Sequence, residues 1–149
     1  MPGTDPNGGR PGNSLCVLVV DDYPGLADAL AELLRRWGYR VQVARDGPTA
    51  LEAVRAQEPD VILVDIRSPG LDGYAAAELL CEAMTNRPRL VALTACEKEV
   101  DSRRWQAEGF DGFFLKPADP DRLRQTLTGF ASQADRLQET GAHDPASMD

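Results

Sequence analysis

The chain has 149 residues, 42% of them hydrophobic and 27% charged, with a formal net charge of -8. This length and composition fit one globular domain that can bury a hydrophobic core of its own. The acidic balance argues against a nucleic-acid partner. Because no apolar run is long enough for a membrane span and the first residues lack a signal-peptide pattern, we expect a cytoplasmic protein without a membrane partner.

Short apolar runs typical of buried strands alternate along the chain with segments of helical periodicity. The predicted strands are 15–20, 39–44, 61–65, 89–94 and 112–116. The predicted helices are 24–37, 50–56, 74–84, 100–108 and 119–130. The second strand alternates between apolar and polar residues, which is typical of a strand at the edge of a sheet.

This alternation predicts an α/β fold, with a doubly wound, five-stranded parallel sheet and helices on both faces. Right-handed crossovers bring the carboxyl ends of all strands to one edge, where ligands bind in open parallel sheets. Polar side chains stand at the ends of four of the strands: Asp21 with Asp22, then Asp65, Thr94 and Lys116. We therefore expect one site that contains all five.

The segments that flank the predicted domain are polar. Residues 1–14 are rich in proline and glycine and predict a disordered leader, because they cannot bury enough apolar surface to offset the entropy of ordering. The domain is predicted to span 15–133, and a polar, acidic tail to span 134–149. Three cysteines without a paired spacing predict reduced thiols rather than disulfides or a zinc site: Cys16, Cys81 and Cys96.

The residue types at this edge indicate phosphoryl transfer. Three clustered carboxylates repel one another unless their pKa values rise or a cation lies among them, and an all-oxygen ligand set suits Mg²⁺. The Lys116 ammonium would bind one phosphoryl oxygen and the Thr94 hydroxyl another. Asp65, at the end of the most apolar strand and before a loop, is then the predicted nucleophile that forms an acyl phosphate.

Four motifs follow one another in an order and spacing that resemble the receiver domain of two-component response regulators over roughly residues 15–130. They are Val19-Val20-Asp21-Asp22, Val64-Asp65 with Pro69 and Asp72-Gly73, Leu93-Thr94-Ala95, and Leu115-Lys116-Pro117. The resemblance implies a flavodoxin-like fold with strand order 2-1-3-4-5. It also implies a module that catalyses only its own phosphorylation and dephosphorylation, without turnover of a separate substrate.

The resemblance further implies the role of each site residue. Asp65 would accept a phosphoryl group from a histidine kinase or a histidine phosphotransfer protein. Mg²⁺ would be held by Asp22, Asp65 and the backbone carbonyl of Arg67, with Asp21 acting largely through water. The signal would pass to a downstream effector protein, and a phosphorylation-dependent homodimer stays open.

A second set of residues is implied to couple the site to the surface. Thr94 and Phe113 match the switch pair of receivers, in which the hydroxyl moves toward the phosphoryl group and the aromatic ring turns inward. The Lys116–Pro117 peptide bond is usually cis in this family. Phe113 lacks the hydroxyl of the commoner tyrosine, so its switch would depend on packing, and Ser68 stands where the family often has methionine.

Other classes of protein fit the sequence less well. An aspartyl phosphatase or phosphomutase carries its nucleophile at the end of the first strand with a second acid two residues later, and Asp21-Asp22-Tyr23 lacks that spacing. A flavin carrier requires a phosphate loop that Tyr23-Pro24-Gly25 does not supply. A phosphate-independent docking module and the receiver segment of a hybrid sensor kinase stay as alternatives, and Trp105 is either core or an exposed anchor for a partner.

Overall fold

A computed structural model describes residues 15–68, 71–96, 98 and 103–139. The strands of its main sheet are β1 (Cys16–Val20), β2 (Arg40–Ala44), β3 (Val61–Asp65), β4 (Arg89–Thr94) and β5 (Gly112–Leu115). The helices in the described ranges are α1 (Pro24–Arg36), α2 (Gly47–Ala56), α3 (Gly73–Glu82), α4 (Arg104–Ala107) and α5 (Pro120–Glu139). None of these helices is long and apolar enough to cross a bilayer.

The main sheet is parallel throughout, with the strand order β2-β1-β3-β4-β5. The predicted fold class and the order 2-1-3-4-5 are therefore confirmed. The strand register places Val20 beside Val64, Asp65 beside Leu93 and Thr94 beside Leu115. Because all strands run the same way, this pairing brings their carboxyl ends to one edge.

Successive side chains along each strand point to opposite faces of the sheet, and on each face they form a hydrophobic core. One core packs against α2 and α3 and includes Leu18, Ile62, Val64 and Leu80. The other packs against α1 and α5 and includes Leu34, Val19, Leu63 and Leu127. With both faces covered, the central strands are buried, as their continuous apolar runs predict.

Prolines, glycines and capping aspartates mark the starts and ends of several helices. Pro24 occupies the first turn of α1. Gly38, just after the C-terminal end of α1, has a φ of 99°, which lets the chain turn away from the helix. Asp46 forms a capping box with Thr49 at the start of α2. The Asp72 carboxylate accepts hydrogen bonds from the first turn of α3, so the loop after β3 leads directly into a helix.

Some elements differ in their bounds from the predictions. The loop after β3 contains a two-residue antiparallel ladder between Arg67–Ser68 and Leu71–Asp72. α2 begins at Gly47, three residues before its predicted start, and α3 begins and ends slightly earlier than predicted. α5 continues to Glu139, into the segment assigned to the tail. The helix α4 begins at Arg104, after Arg103 with a φ of 58°, and ends at Ala107, so it is shorter than the predicted 100–108. The leader 1–14, residues 99–102 and residues 140–149 lie outside the described residues.

Candidate functional site

Lys116 joins two strand ends at the carboxyl edge of the sheet. Its Nζ lies 2.6 Å from Asp21 Oδ2 and 2.8 Å from Asp65 Oδ2. Only 13% of the Lys116 side chain is exposed, and the two aspartate side chains are almost fully buried. Three of the predicted site residues, from β1, β3 and the end of β5, therefore meet in one buried ion-pair network.

Backbone hydrogen bonds extend the sheet past the strand ends and hold these residues in place. Asp21 N–H donates to the Ala44 carbonyl at 3.0 Å, and Lys116 N–H donates to the Thr94 carbonyl at 2.7 Å. The Tyr23 N–H donates to Asp21 Oδ1 at 2.9 Å, which orients that carboxylate. Hydrogen bonds to both of its oxygens fix Asp21, because Lys116 binds the other one.

Burial and charge act in opposite directions on the two ends of this network. Burial raises the pKa of Asp21, and the Asp65 charge adds to the effect, while hydrogen bonds from Lys116 and Tyr23 oppose it. Burial disfavours the Lys116 ammonium, but hydrogen bonds to Asp21 and Asp65 outweigh this and raise the pKa of Lys116. The lysine is thus held as a cation beside the two carboxylates.

The structure places the remaining predicted site residues around this network. Asp22 follows Asp21 and is half-buried. Thr94 is fully buried at the end of β4, and its hydroxyl oxygen accepts the Cys96 N–H at 3.1 Å. Phe113 lies on the face of the sheet that carries α2 and α3, where its ring centroid is 5.6 Å from that of Trp105.

Two features of the site were not foreseen from the sequence. Gly73 packs against the backbone of Asp65 so closely that it has no room for a side chain. The Tyr23 ring centroid lies 5.2 Å from Lys116 Nζ. The dipeptide Asp72-Gly73 signalled a turn but not this contact, and nothing in the pattern around Tyr23 signalled its orientation.

The oxygen donors at this edge are the kind that Mg²⁺ prefers. Among the residues that the structure describes, no three His, Cys, Asp or Glu side chains form a ready metal-binding group. The Lys116 ammonium instead bridges Asp21 and Asp65. Arg67 lies in the short ladder after β3, opposite Asp72, and only its backbone is described. The ligand set Asp21, Asp22, Asp65 and the Arg67 carbonyl stays a prediction.

Fold and site together define a class: a parallel α/β domain of order 2-1-3-4-5 whose carboxyl edge carries acidic residues and a lysine. A sequence model described as the response regulator receiver domain matches residues 17–128. The chain belongs to this family of signalling domains. The predicted resemblance is confirmed, and the Lys116–Pro117 peptide bond is cis, as the resemblance implied.

Curated relatives include one protein of similar length and longer ones. The protein PilH of Pseudomonas aeruginosa is 31% identical over 112 residues, which cover 74% of this chain and 93% of PilH. The sensor histidine kinase RcsC of Salmonella typhi is 32% identical over 130 residues, or 87% of this chain. The matched part is only 13% of RcsC, so the chain corresponds to a small part of that relative.

Solved structures agree with the fold and add one chemical observation. The receiver domain of sensor histidine kinase PA1611 from Pseudomonas aeruginosa has a TM-score of 0.68 at 31% identity, covering 80% of this chain and 98% of that one. Its structure holds a magnesium ion coordinated in the active-site cleft. A CheY-like receiver domain from Methylobacillus flagellatus also gives a TM-score of 0.68, at 26% identity, and covers 78% of this chain and 98% of that one.

Proposed function

We propose that Asp65 is the phosphoacceptor of this receiver domain. The observation that carries the proposal is the 2.8 Å contact between Lys116 Nζ and Asp65 Oδ2 at the carboxyl end of the central strand. A buried carboxylate can act as a nucleophile toward a phosphoryl group. The fixed ammonium beside it offsets the repulsion between the negative charges of the two groups. The position of Asp65 at the edge where parallel sheets bind ligands supports the same role.

The proposed chemistry is transfer of a phosphoryl group from a phosphohistidine. A carboxylate oxygen of Asp65 attacks phosphorus, the bond from phosphorus to the donor nitrogen breaks, and the imidazole leaves with that electron pair. The product is an acyl phosphate on Asp65. Lys116 would bind one phosphoryl oxygen, and Thr94 would turn its hydroxyl away from the Cys96 N–H to donate to another.

The same proposal includes Mg²⁺ bound by Asp22, Asp65 and the backbone carbonyl of Arg67, with Asp21 acting through water. When bound, the ion would neutralise charge that develops on the phosphoryl oxygens. The oxygen donor set of the site and the magnesium in the PA1611 receiver domain support this assignment. The phosphoryl group is anionic, as the Asp65 carboxylate is. Lys116 would therefore exchange its contact with Asp65 for a contact with a phosphoryl oxygen.

The donor would be a histidine kinase or a histidine phosphotransfer protein, and the output a contact with a downstream effector protein. Receiver domains interact with both kinds of partner. A second reading, the receiver segment of a hybrid sensor kinase, is favoured by the relatedness to RcsC and to the PA1611 receiver domain. Both readings assign the same chemistry to Asp65, and they differ in where the phosphoryl group goes next.

The test is phosphorylation by a small-molecule phosphodonor, acetyl phosphate, with Mg²⁺, followed by intact mass spectrometry. The wild-type chain is expected to gain one phosphoryl group, and Asp65→Asn none. The control is Asp28→Asn, which removes an exposed carboxylate from α1 and should label like the wild type. Labelling of Asp65→Asn at the wild-type level would contradict the proposed acceptor.

A further inference from the structure

Tyr23 lies at the entrance to the site, between β1 and α1. Its ring centroid is 5.2 Å from Lys116 Nζ, within the range of a cation–π interaction. Tyr23 is 43% exposed, whereas the Lys116 side chain is 13% exposed, so the ring is more accessible to solvent than the lysine. The ammonium thus contacts two carboxylates and lies within reach of one aromatic ring.

The backbone of Tyr23 is tied to the same network. Its N–H donates to Asp21 Oδ1, while the other oxygen of that carboxylate accepts from Lys116. The carbonyl of Tyr23 accepts the Ala27 N–H at 3.0 Å, in the first turn of α1. The position of the ring is therefore coupled to the start of α1 and to the carboxylate that Lys116 binds.

We propose that Tyr23 is a positioning residue for phosphoryl transfer: its ring face holds the Lys116 ammonium in the orientation that receives the phosphoryl group. This inference rests on the proposed function of Asp65. The lysine stem is a flexible chain of four carbons, so when the ammonium leaves Asp65 for the phosphoryl group, a further contact is needed to keep its orientation. The ring attracts the ammonium, and an apolar ring beside it leaves less room for water, which strengthens the interaction of the ammonium with an incoming phosphoryl oxygen.

The property that matters is the aromatic face, not the hydroxyl and not the apolar volume. Tyr23→Leu keeps an apolar side chain but removes the π face, and it should slow phosphorylation by acetyl phosphate about fivefold, the size of a partly exposed cation–π contact. Tyr23→Phe keeps the ring and should rescue the rate. Equal rates for Tyr23→Leu and the wild type would overturn the inference, as would an equal loss in Tyr23→Phe.

A double-mutant cycle separates positioning of Lys116 from a general structural effect. Tyr23→Leu should slow the reaction in the wild-type background but have no further effect in Lys116→Met, because the ring then has no ammonium to hold. The same fivefold loss in both backgrounds would overturn the inference. Thermal unfolding of each variant gives its stability, and the rates are compared at a temperature well below the unfolding transition of every variant.

The outcomes distinguish this inference from the proposed function. If the wild-type chain takes up no phosphoryl group, or if Asp65→Asn is labelled at the wild-type level, the proposed phosphoacceptor is wrong. The inference about Tyr23 is then wrong as well. If labelling depends on Asp65 but not on the ring of Tyr23, only the inference about Tyr23 is wrong.

Discussion

Gly73 and Asp65 are in direct backbone contact: a Cβ built on Gly73 would lie 2.5 Å from the carbonyl oxygen of Asp65 and 2.5 Å from Cα of Ile66. Both neighbouring atoms are backbone, so no side-chain rotation can make room. The first residue of α3 thus packs directly against the end of the central strand. Any side chain at this position has to displace the residue that we propose as the phosphoacceptor.

Gly73→Ala is therefore expected to destabilise the fold and to slow phosphorylation of Asp65. Overpacking of this kind costs about 1–3 kcal/mol, and here the cost falls on the end of β3. Chemical denaturation and acetyl phosphate labelling measure the two effects. Gly129→Ala is the matched control, because its Cβ would meet nothing within 4 Å on α5. Gly129→Ala should leave the free energy of unfolding unchanged or raise it by up to about 1 kcal/mol. A similar result for Gly73→Ala would contradict the close contact between Gly73 and Asp65.

Removal of the Lys116 ammonium should separate phosphorylation from its consequences. Lys116→Ala leaves Asp21 and Asp65 buried without their shared cation, and the loss of one partner of a buried ion pair typically costs about 3–5 kcal/mol. Mg²⁺ should still raise its unfolding temperature, because the proposed ligands remain. We expect Lys116→Ala to be labelled more slowly than the wild type and to lack the conformational response, which hydrogen exchange measures. Arg55→Ala, on the exposed face of α2, should respond normally. A wild-type response in Lys116→Ala would discredit the role of the ammonium.

The raised pKa of Asp21 predicts a specific pH dependence of stability in Mg²⁺-free buffer. A raised pKa means that the folded state binds this proton more tightly than the unfolded chain does. The contribution is present below the unfolded pKa of about 3.9 and is lost as the pH rises through the folded pKa. The stability of the wild type relative to Asp21→Asn should therefore fall as the pH rises above about 4.

Asp46 provides a control of opposite sign. Hydrogen bonds from the side chain and backbone of Thr49 lower the pKa of Asp46. Its contribution is complete above the unfolded pKa of about 3.9 and is lost as the pH falls through the lower folded pKa, so the wild type should gain stability relative to Asp46→Asn as the pH rises toward about 4. Urea unfolding at several pH values measures both trends. Parallel trends for the two variants would contradict the assignment of Asp21.

The parts of the fold that depend on local pattern were predictable from the sequence. Continuous apolar runs are typical of strands covered on both faces, and the parallel topology that follows brings Asp21, Asp65 and Lys116 to one edge. The contact of Gly73 with Asp65 and the ring of Tyr23 over Lys116 were not predictable. They depend on how α3 and the loop after β1 pack in three dimensions, which spacing along the chain does not encode.

Removal of divalent ions should stop phosphoryl transfer. Without a metal ion, a phosphoryl donor would meet the negative charges of Asp21, Asp22 and Asp65 with Lys116 as the nearby cation. We expect acetyl phosphate labelling to be lost in a chelator and restored by excess Mg²⁺, with Asp65→Asn as the blank in each condition. Full labelling in the chelator would remove Mg²⁺ from the proposed mechanism.

Trp105 should report on the movement of Phe113. The two rings pack at a centroid distance of 5.6 Å, and Trp105 contacts the core on the α2 and α3 side of the sheet, which favours the core interpretation over an exposed anchor. Its buried Nε1–H has no acceptor among the described residues, so a shift that exposes it to water would relieve an unpaired donor. An inward turn of Phe113 on phosphorylation should therefore change the emission of Trp105.

The other tryptophan, Trp37, packs against the core on the opposite face of the sheet, so Trp37→Phe isolates the signal of Trp105. In that background, acetyl phosphate with Mg²⁺ should shift the emission of Trp105 to longer wavelength, because water replaces the Phe113 ring as its neighbour. Adding Asp65→Asn should abolish the shift, and Phe113→Leu should weaken it while leaving labelling intact. An unchanged emission in a fully labelled chain would show that Phe113 does not move against Trp105.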